Sequence, residues 1–389
     1  MAKRQVAPGV FYIGADDTDL DLFEGQYIVP EGISYNSYVI DDEKIALMDT
    51  IDSRKTDEWI GKLNEVLDGR KPDYLVVQHM EPDHSSNIKY ILDRFPECTV
   101  VCTAKAASMI PQFFDMNSSF NIITVKEGDT LSLGAHTLRF IMAPMVHWPE
   151  VMVSYEEKEK ILFSADGFGE FGVIDAPTGE DWLCEARRYY FNIVGKYGAQ
   201  VQSLLKKAST LDIRMICPLH GPILQNDLSF YLKTYDTWSK YEPETDGIFI
   251  AYCSLHGNTE KAAKKLHEIL QGMTDKKLSI MDLRRCDLAE AVEDAFRYSK
   301  MVLAAPTYDA GVMPVMVDFL AHLKAKTYQN RQVAIMENGS WAPMAAKKMK
   351  EELEQMKNIH VLDRIVSIRS TLKNQNVDEL EQLANELTA

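Results

Sequence analysis

Apolar and polar positions in the first third of the chain follow patterns that predict alternating strands and helices. Residues 34–51 hold two apolar runs around the polar turn DDEK, which indicates a hairpin. The segment TDEWIGKLNEVL is amphipathic and predicts a helix with Thr56 as its N-cap. The apolar runs YLVVQ (74–78) and TVVCTA (99–104) are typical of buried strands.

The pattern changes in the middle of the first half. Residues 120–166 hold several short apolar runs joined by turns, NIITV the first of them, which suggests antiparallel hairpins. Helical patterns follow over about 181–207, and IRMICPLHG (213–221) is expected to be the last strand, ending at His220. Sheets with helices between them predict an α/β sandwich.

A polar stretch separates this region from a more regular one. Residues 239–247, SKYEPETDG, are weakly periodic and contain proline, which is typical of a domain boundary. After it, five apolar runs alternate with five helical patterns, which predicts a doubly wound parallel five-stranded sheet. We therefore expect a first domain over residues 1–245 and a second over 246–389.

Composition narrows the functional class. Hydrophobic residues make up 46% of the 389 residues, enough for large cores, and the net charge of −16 argues against a nucleic-acid partner. Residues 1–246 carry 39 acidic and 23 basic side chains, whereas 247–389 carry 19 of each, which favours two electrostatically different domains. The six cysteines form no CxxC pair, no signal peptide is recognised, and no apolar run approaches about 18 residues. A cytoplasmic protein without a membrane segment is expected.

Strong metal ligands stand where apolar strands stop. A single histidine after a strand is usually a packing residue, but this chain repeats the arrangement at several strand ends. Residues 79, 81 and 83 share parity and would point to one face if the segment stayed extended. Two neighbouring metals need about ten to twelve ligand positions, which these side chains and water could fill. We predict a binuclear metal site from His79, Glu81, Asp83, His84, His147, Asp166 and His220.

The order His-x-Glu-x-Asp-His, followed by a distant His, an Asp and a final His, resembles the metallo-β-lactamase fold. The specific variant resembles the flavodiiron proteins, because zinc hydrolases of this fold usually have a second His where Glu81 stands. An anionic oxygen ligand favours iron or manganese without excluding zinc. The first domain is thus expected to be an αββα sandwich.

The resemblance implies a role for each ligand. His79, Glu81 and His147 would bind one iron, Asp83 and His220 the other, and Asp166 would bridge them. In this family the residue at the position of His84 binds the second iron in some members and turns away in others. Trp148 and Tyr27 are expected to line the pocket.

Three loops of the second domain resemble the FMN site of flavodoxins. AYCSLHGNTEKAA (251–263) follows a strand, opens a helix and would place hydroxyls and N–H groups around a phosphate. It lacks both the P-loop lysine and G-x-G-x-x-G, which favours a mononucleotide. APTYDAG and ENGSWAP would offer aromatic rings to the flavin. The predicted FMN residues are Ser254, His256, Gly257, Asn258, Thr259, Pro306, Thr307, Tyr308, Asp309, Asn338, Gly339, Ser340 and Trp341.

Together these features imply an oxidoreductase that passes electrons from an external donor through FMN to two non-haem irons, reducing O₂ to water, NO to N₂O, or both. The resemblance implies a head-to-tail homodimer or a dimer of dimers, and a separate donor, either rubredoxin or a reduced deazaflavin cofactor. Two alternatives are a zinc-dependent hydrolase with a regulatory flavodoxin domain and an electron carrier with a degenerate sandwich.

Overall fold

A computed structural model describes residues 4–115 and 120–389, and the chain forms two compact units, Met1–Asp236 and Thr237–Ala389. The boundary between the units precedes the predicted one at residues 245 and 246. Each unit is described by itself below. No helix within the described ranges is long and apolar enough to cross a membrane.

The strands of the first unit are mostly short. They are β1 Arg4–Ala7, β2 Val10–Tyr12, β3 Ala15–Asp17, β4 Leu22–Phe23, β5 Tyr27–Ile28, β6 Ile33–Tyr35, β7 Tyr38–Ile40, β8 Ala46–Met48, β9 Tyr74–Val77, β10 Thr99–Thr103, β11 Asn121–Val125, β12 Thr130–Ser132, β13 Thr137–Met142, β14 Met152–Glu156, β15 Ile161–Phe163, β16 Met215–Cys217 and β17 Leu224–Gln225. In the described part of the unit they form a seven-stranded sheet (β1-β2-β7-β8-β9-β10-β11), a six-stranded sheet (β12 to β17 in order) and two small ladders, β3-β6 and β4-β5.

The helices of this unit are α1 Thr56–Leu67, α2 Pro82–Ser85, α3 Ile88–Arg94, α4 Ala104–Phe113, α5 Leu183–Tyr189 and α6 Gly198–Ala208. Helix α7, Leu228–Ser239, begins in this unit and ends in the second. A π-helical turn, Tyr190–Val194, and a 3₁₀ turn, Gly195–Tyr197, join α5 to α6. The two larger sheets share one core, because Val76 and Met48 of one sheet belong to the same buried cluster as Phe140 and Phe163 of the other. The predicted sandwich is confirmed.

Four local predictions need correction. Strand β11, which contains NIITV, pairs in parallel with β10 instead of forming a hairpin with the following strands. Thr56 is the first residue of α1 and its hydroxyl contacts Ser53 and Asn87, so it is not the N-cap. Strand β16 is not the last, since β17 pairs with it. The segment after His79 turns into α2 at Pro82 instead of staying extended.

The second unit has the predicted alternation of strands and helices. Its strands are β18 Thr245–Tyr252, β19 Lys277–Asp282, β20 Tyr298–Tyr308, β21 Gly311–Val312, β22 Arg331–Asn338 and β23 Ile359–Ile368; its helices are α8 Asn258–Met273, α9 Leu288–Arg297, α10 Pro314–Ala325, α11 Ala345–Leu353 and α12 Asn374–Thr388. The main sheet has the order β19-β18-β20-β22-β23, and its neighbouring strands pair in parallel. The doubly wound five-stranded sheet is confirmed, with the short β21 added on β20.

Candidate functional site

Polar side chains that follow strands of both larger sheets of the first unit lie close together. The turn after β9 in the seven-stranded sheet carries His79 and Glu81 and leads into α2. In the six-stranded sheet, His147 follows β13, Asp166 follows β15 and His220 follows β16. Parallel and antiparallel strands thus end close together, and the predicted ligand types meet although they are far apart in the sequence.

The first group of side chains consists of His79, Glu81, His147 and Asp166, whose ligand atoms lie within 4.8 Å of one another. The Nε2 atom of His79 lies 3.2 Å from Glu81 Oε2 and 3.1 Å from Asp166 Oδ2. The Nε2 atom of His147 lies 3.0 Å from the same oxygen of Glu81 and 3.3 Å from that of Asp166. Two imidazole nitrogens and two carboxylate oxygens therefore face one point.

The second group consists of Asp83, His84 and His220. Asp83 Oδ2 lies 3.4 Å from His84 Nε2 and 3.3 Å from His220 Nε2. Asp166 Oδ1 lies 3.6 Å and 3.8 Å from the same two nitrogens, while its Oδ2 faces the first group. The two oxygens of Asp166 are therefore turned to different groups, as expected of a bridging carboxylate.

The chemistry of these atoms fits cations. Both carboxylate oxygens of Asp83 and of Asp166 are buried without a hydrogen bond to the described residues. A buried carboxylate in that state is costly unless a metal or another charge compensates it. Burial lowers the pKa of His84 to about 4, although the charge of Asp83 opposes the effect. Its ring is therefore neutral at pH 7 and keeps a lone pair for a metal.

In the first group the pKa of a histidine is raised instead of lowered. Burial acts to lower the pKa of His147, but the neighbouring carboxylates of Asp166 and Glu81 raise it to about 9. Glu81 and Asp166 thus stabilise a positive charge at this position, whether a proton or a metal ion carries it. The carboxylates and neutral imidazoles together suit hard or intermediate divalent ions such as iron.

Sequence reasoning missed several residues around these groups. Glu150 accepts a hydrogen bond from His79, at 2.9 Å between Oε1 and Nδ1. Phe23 and Tyr189 pack against the ring of His220, with ring centroids 5.3 Å and 5.6 Å apart. Nothing in the sequence singles these positions out, because a glutamate after a proline and an aromatic in a helix are common elsewhere.

The two predicted pocket aromatics have different positions. The ring of Trp148 meets His79 edge to face at 5.3 Å, so it lies beside the first group. Tyr27 packs against Phe171, and its hydroxyl donates to the carbonyl oxygen of Asn192 at 3.1 Å. Tyr27 thus reaches the second group indirectly, since Phe171 packs against Phe23, which packs against His220.

The second unit contains a cleft of about 680 Å³ at the carboxyl edge of its sheet. This is the place where open α/β sheets bind ligands. Twelve of the thirteen predicted FMN residues line it, Gly257 being the exception, together with five residues that the sequence analysis missed. The lining residues are Ser254, Leu255, His256, Asn258, Thr259, Pro306, Thr307, Tyr308, Asp309, Ala310, Asn338, Gly339, Ser340, Trp341, Ala342, Met344 and Ser370.

The loop before α8 has the features of an anion site. Gly257 adopts a left-handed conformation with φ of 82°, and the helix begins at Asn258. The hydroxyl of Ser254 is buried without a hydrogen-bond partner among the described residues. Arg284 donates to the backbone oxygen of Ser254 and contacts Glu260, which braces the loop. Free N–H groups and an unused hydroxyl at a helix N-terminus suit a phosphate.

The other two loops provide aromatic and polar groups. Tyr308 is 42% exposed and Trp341 is 90% exposed, so both rings are available to a planar ligand or another surface. The hydroxyl of Thr307 accepts hydrogen bonds from the N–H groups of Met344 and Ala345, and this gives it a structural role at the start of α11. Asn338 and Ser340 bond to Ser370, which joins the loop after β22 to the loop after β23.

Comparisons with known proteins find relatives and solved structures that are similar to this chain over nearly its whole length. Residues 33–221 match the family model described as ODP family beta lactamase. A nitric oxide reductase from Moorella thermoacetica is 28% identical, covering 99% of this chain and 98% of its own. The solved structure of rubredoxin oxygen:oxidoreductase from Desulfovibrio gigas superposes with a TM-score of 0.93 at 25% identity, covering 99% of this chain and 98% of that one. The flavodiiron protein from Giardia intestinalis gives 0.92 at 25% identity, covering 100% and 96%.

Proposed function

We propose that this chain, which resembles flavodiiron proteins over its whole length, is an oxidoreductase that reduces O₂ to water, NO to N₂O, or both. The observation that carries the proposal is the shared Asp166, whose two oxygens face two separate groups of ligands. A site for two metals in one unit and an anion-binding cleft in the other are what such a reaction requires.

The metal site is assigned residue by residue. His79, Glu81 and His147 would hold one iron, Asp83, His84 and His220 the other, and Asp166 both. When bound, the irons would supply Lewis acidity and electrons to the diatomic substrate, and FMN would supply electrons to the irons. Phe23 and Tyr189 limit water access on the side of His220.

The cleft is assigned to FMN. Ser254, Asn258 and Thr259 would bind the phosphate at the start of α8, where the helix dipole favours an anion. Tyr308 and Trp341 would pack against the isoalloxazine ring, and the backbone of the loops after β20 and β22 would bond its polar edge. His256 and Asp309 line the same cleft and would adjust the charge around the ring.

The zinc-hydrolase alternative is not favoured. Glu81 gives the site one more carboxylate than the usual zinc hydrolases of this fold carry, and matched relatives are named as nitric oxide and oxygen reductases. The electron-carrier alternative requires lost ligands, yet all seven predicted ligand residues meet in the two groups.

The decisive experiment is anaerobic stopped-flow on protein of known iron and FMN content. Fully reduced protein is mixed with O₂ and, separately, with NO, while flavin absorbance and gas products are followed. Fast reoxidation with water or N₂O as product supports the proposal, and Asp166→Asn should abolish it while the exposed Glu97→Gln does not. Bound zinc with slow reoxidation and released peroxide would overturn it.

We further propose a head-to-tail homodimer, or a dimer of such dimers, that brings the FMN of one subunit to the irons of another. The support is the resemblance alone. A variant without the bridging carboxylate (Asp166→Asn) and a variant without the two hydroxyls that would bind the phosphate (Ser254→Ala with Thr259→Val) would be mixed so that their subunits exchange. Activity that returns only on mixing supports shared sites, whereas inactive mixtures of confirmed hybrid dimers contradict them.

The electron donor is proposed to be a separate molecule, rubredoxin or a reduced deazaflavin cofactor. A related protein is named for rubredoxin, which supports the first. Steady-state turnover with each reduced donor compares them directly. If neither donor supports turnover, both proposed donors are wrong. We place the activity in the cytoplasm, where the buried thiols of Cys98, Cys102, Cys217 and Cys253 would stay reduced.

A further inference from the structure

Glu150 makes a buried contact with one metal-binding histidine. Its Oε1 lies 2.9 Å from Nδ1 of His79 and accepts the N–H of Met80 at 2.8 Å. Both Glu150 and His79 are buried, with 1% and 0% of their surfaces exposed. One oxygen of Glu150 therefore accepts two N–H groups at once. The contact fixes the proton of His79 on Nδ1 and leaves Nε2 for the metal.

The histidines of the second group lack such a carboxylate. His220 donates through Nδ1 to the neutral carbonyl oxygen of Ser34, at 2.7 Å. The Nδ1 atom of His84 is buried without a hydrogen-bond partner among the described residues. The two groups share Asp166, and each has one further carboxylate, Glu81 or Asp83. Glu150 therefore gives a ring of the first group a carboxylate partner, and no described carboxylate stands behind the two rings of the second group.

The position of Glu150 is well determined by the loop between β13 and β14. Its backbone oxygen accepts the hydroxyl of Thr103 at 2.9 Å, and Met145 N donates to Trp148 O at 2.7 Å within the loop. The same loop carries His147, a member of the first group, and Trp148, which packs on His79. The loop between β13 and β14 thus supplies one ligand, His147, and orients another, His79, through Glu150.

We propose that Glu150 is a positioning residue that directs His79 to the first metal and makes the two metal positions unequal, the first being the harder to reduce. A carboxylate on the outer N–H makes an imidazole a stronger donor. Extra negative charge nearby stabilises the more positive oxidation state, so adding one electron to the first metal is less favourable. The inference rests on the proposed function, since it assumes a pair of redox-active ions.

Glu150→Gln separates charge from position, because the amide oxygen can still accept both N–H groups. Glu150→Ala removes both. The matched control is Glu156→Gln in the same unit: Glu156 is equally buried and accepts from His136 Nδ1 at 3.0 Å, but neither residue belongs to a metal group. Iron-loaded proteins are titrated electrochemically with ⁵⁷Fe Mössbauer detection, and metal affinity is measured by adding Co²⁺ to the metal-free proteins against a chelator.

With Glu150→Gln, we expect both irons to be retained and one of the two one-electron steps to become about tenfold more favourable, about 59 mV higher in potential. Glu150→Ala should in addition weaken Co²⁺ binding about 10- to 100-fold at one position. Glu156→Gln should do neither. The inference is wrong if Glu150→Gln shifts neither step, shifts both equally, or shifts them no more than the control.

The proposed function fails in a different way. It fails if the unmodified protein binds no iron or shows no iron reduction steps. That result is visible before any variant is compared, so the two failures are distinguishable.

Discussion

The Nε2 atoms of His84 and His220 lie 3.0 Å apart in the protein interior. Two neutral imidazoles can share only one proton across such a contact, and Asp83 Oδ2 lies within 3.4 Å of both nitrogens. A metal ion bound here would use a nitrogen lone pair of each ring and an oxygen of Asp83. His84 therefore faces the second group and does not turn away from it.

His84→Ala should weaken binding of the second metal by at least about tenfold and leave the first in place, because only the second group loses a nitrogen. Metal analysis and Co²⁺ titration of the metal-free protein measure this. His136→Gln is the control, since it removes a buried imidazole that bonds to Glu156 away from the metal groups. Unchanged stoichiometry and affinity in His84→Ala would remove His84 from the ligand set.

Ser254→Ala should raise the dissociation constant of FMN about tenfold, which is about 1.4 kcal/mol, because a hydrogen bond to a charged phosphate is lost. The stability of the FMN-free protein should not fall, since the Ser254 hydroxyl has no partner there among the described residues. Flavin fluorescence titration measures the dissociation constant of FMN, and urea unfolding measures the stability of the FMN-free protein. Ser367→Ala should behave oppositely: its hydroxyl donates to Glu337 at 2.6 Å, so stability falls and FMN affinity is kept.

Gly257→Ala should destabilise the second unit by about 1 kcal/mol, because alanine is strained at a φ of 82°. A Cβ atom there meets nothing within 4 Å, so the cost is conformational and not steric. Gly272→Ala, in the last turn of α8 and equally open, should stabilise by up to roughly 0.5–1 kcal/mol. Unfolding free energies that change in the same direction for both variants would contradict this account.

Glu170→Gln should stabilise the protein increasingly as pH rises. Burial, and then the charge of Glu185, raise the pKa of Glu170 to about 9. The unfolded chain releases this proton near pH 4.3, so the folded state holds the extra proton between these values and loses stability as pH rises through them. The advantage of the glutamine variant should grow by up to about 1.4 kcal/mol per pH unit.

Urea unfolding between pH 5 and 9 measures the difference between wild type and Glu170→Gln. The control is Glu97→Gln, whose side chain is 90% exposed and is therefore free of the burial that acts on Glu170. A difference for Glu170→Gln that stays constant with pH would mean that the Glu170 carboxyl ionises normally in the folded protein.

The predicted ligands could be found in the sequence because each stands where an apolar run stops, and strand ends are readable from hydrophobicity. His79 and Asp166 are of this kind. Glu150 could not be found, because its role depends on a contact with His79 across 71 positions and its local sequence matches a surface turn. The composition of β11 predicted a strand but not its partner, since pairing with β10 is fixed by the whole sheet.

The second unit was easier to predict than the first. Its strands run for six residues or more along the main sheet and alternate with long helices, so periodicity is clear. Strands β4 and β5 have two residues each, too few for any period to appear, although Phe23 on β4 packs against His220. Ser370 follows the fifth strand without a glycine-rich or aromatic signal, and its place in the cleft was therefore missed.

Each metal group takes side chains from both large sheets of the first unit, with His79 and His84 from one and Asp166 and His220 from the other. Bound ions would cross-link the two sheets. If a force pulled the two sheets apart, both metal cross-links would resist it at the edge that carries the metal groups. The sheets would therefore separate first at the opposite edge.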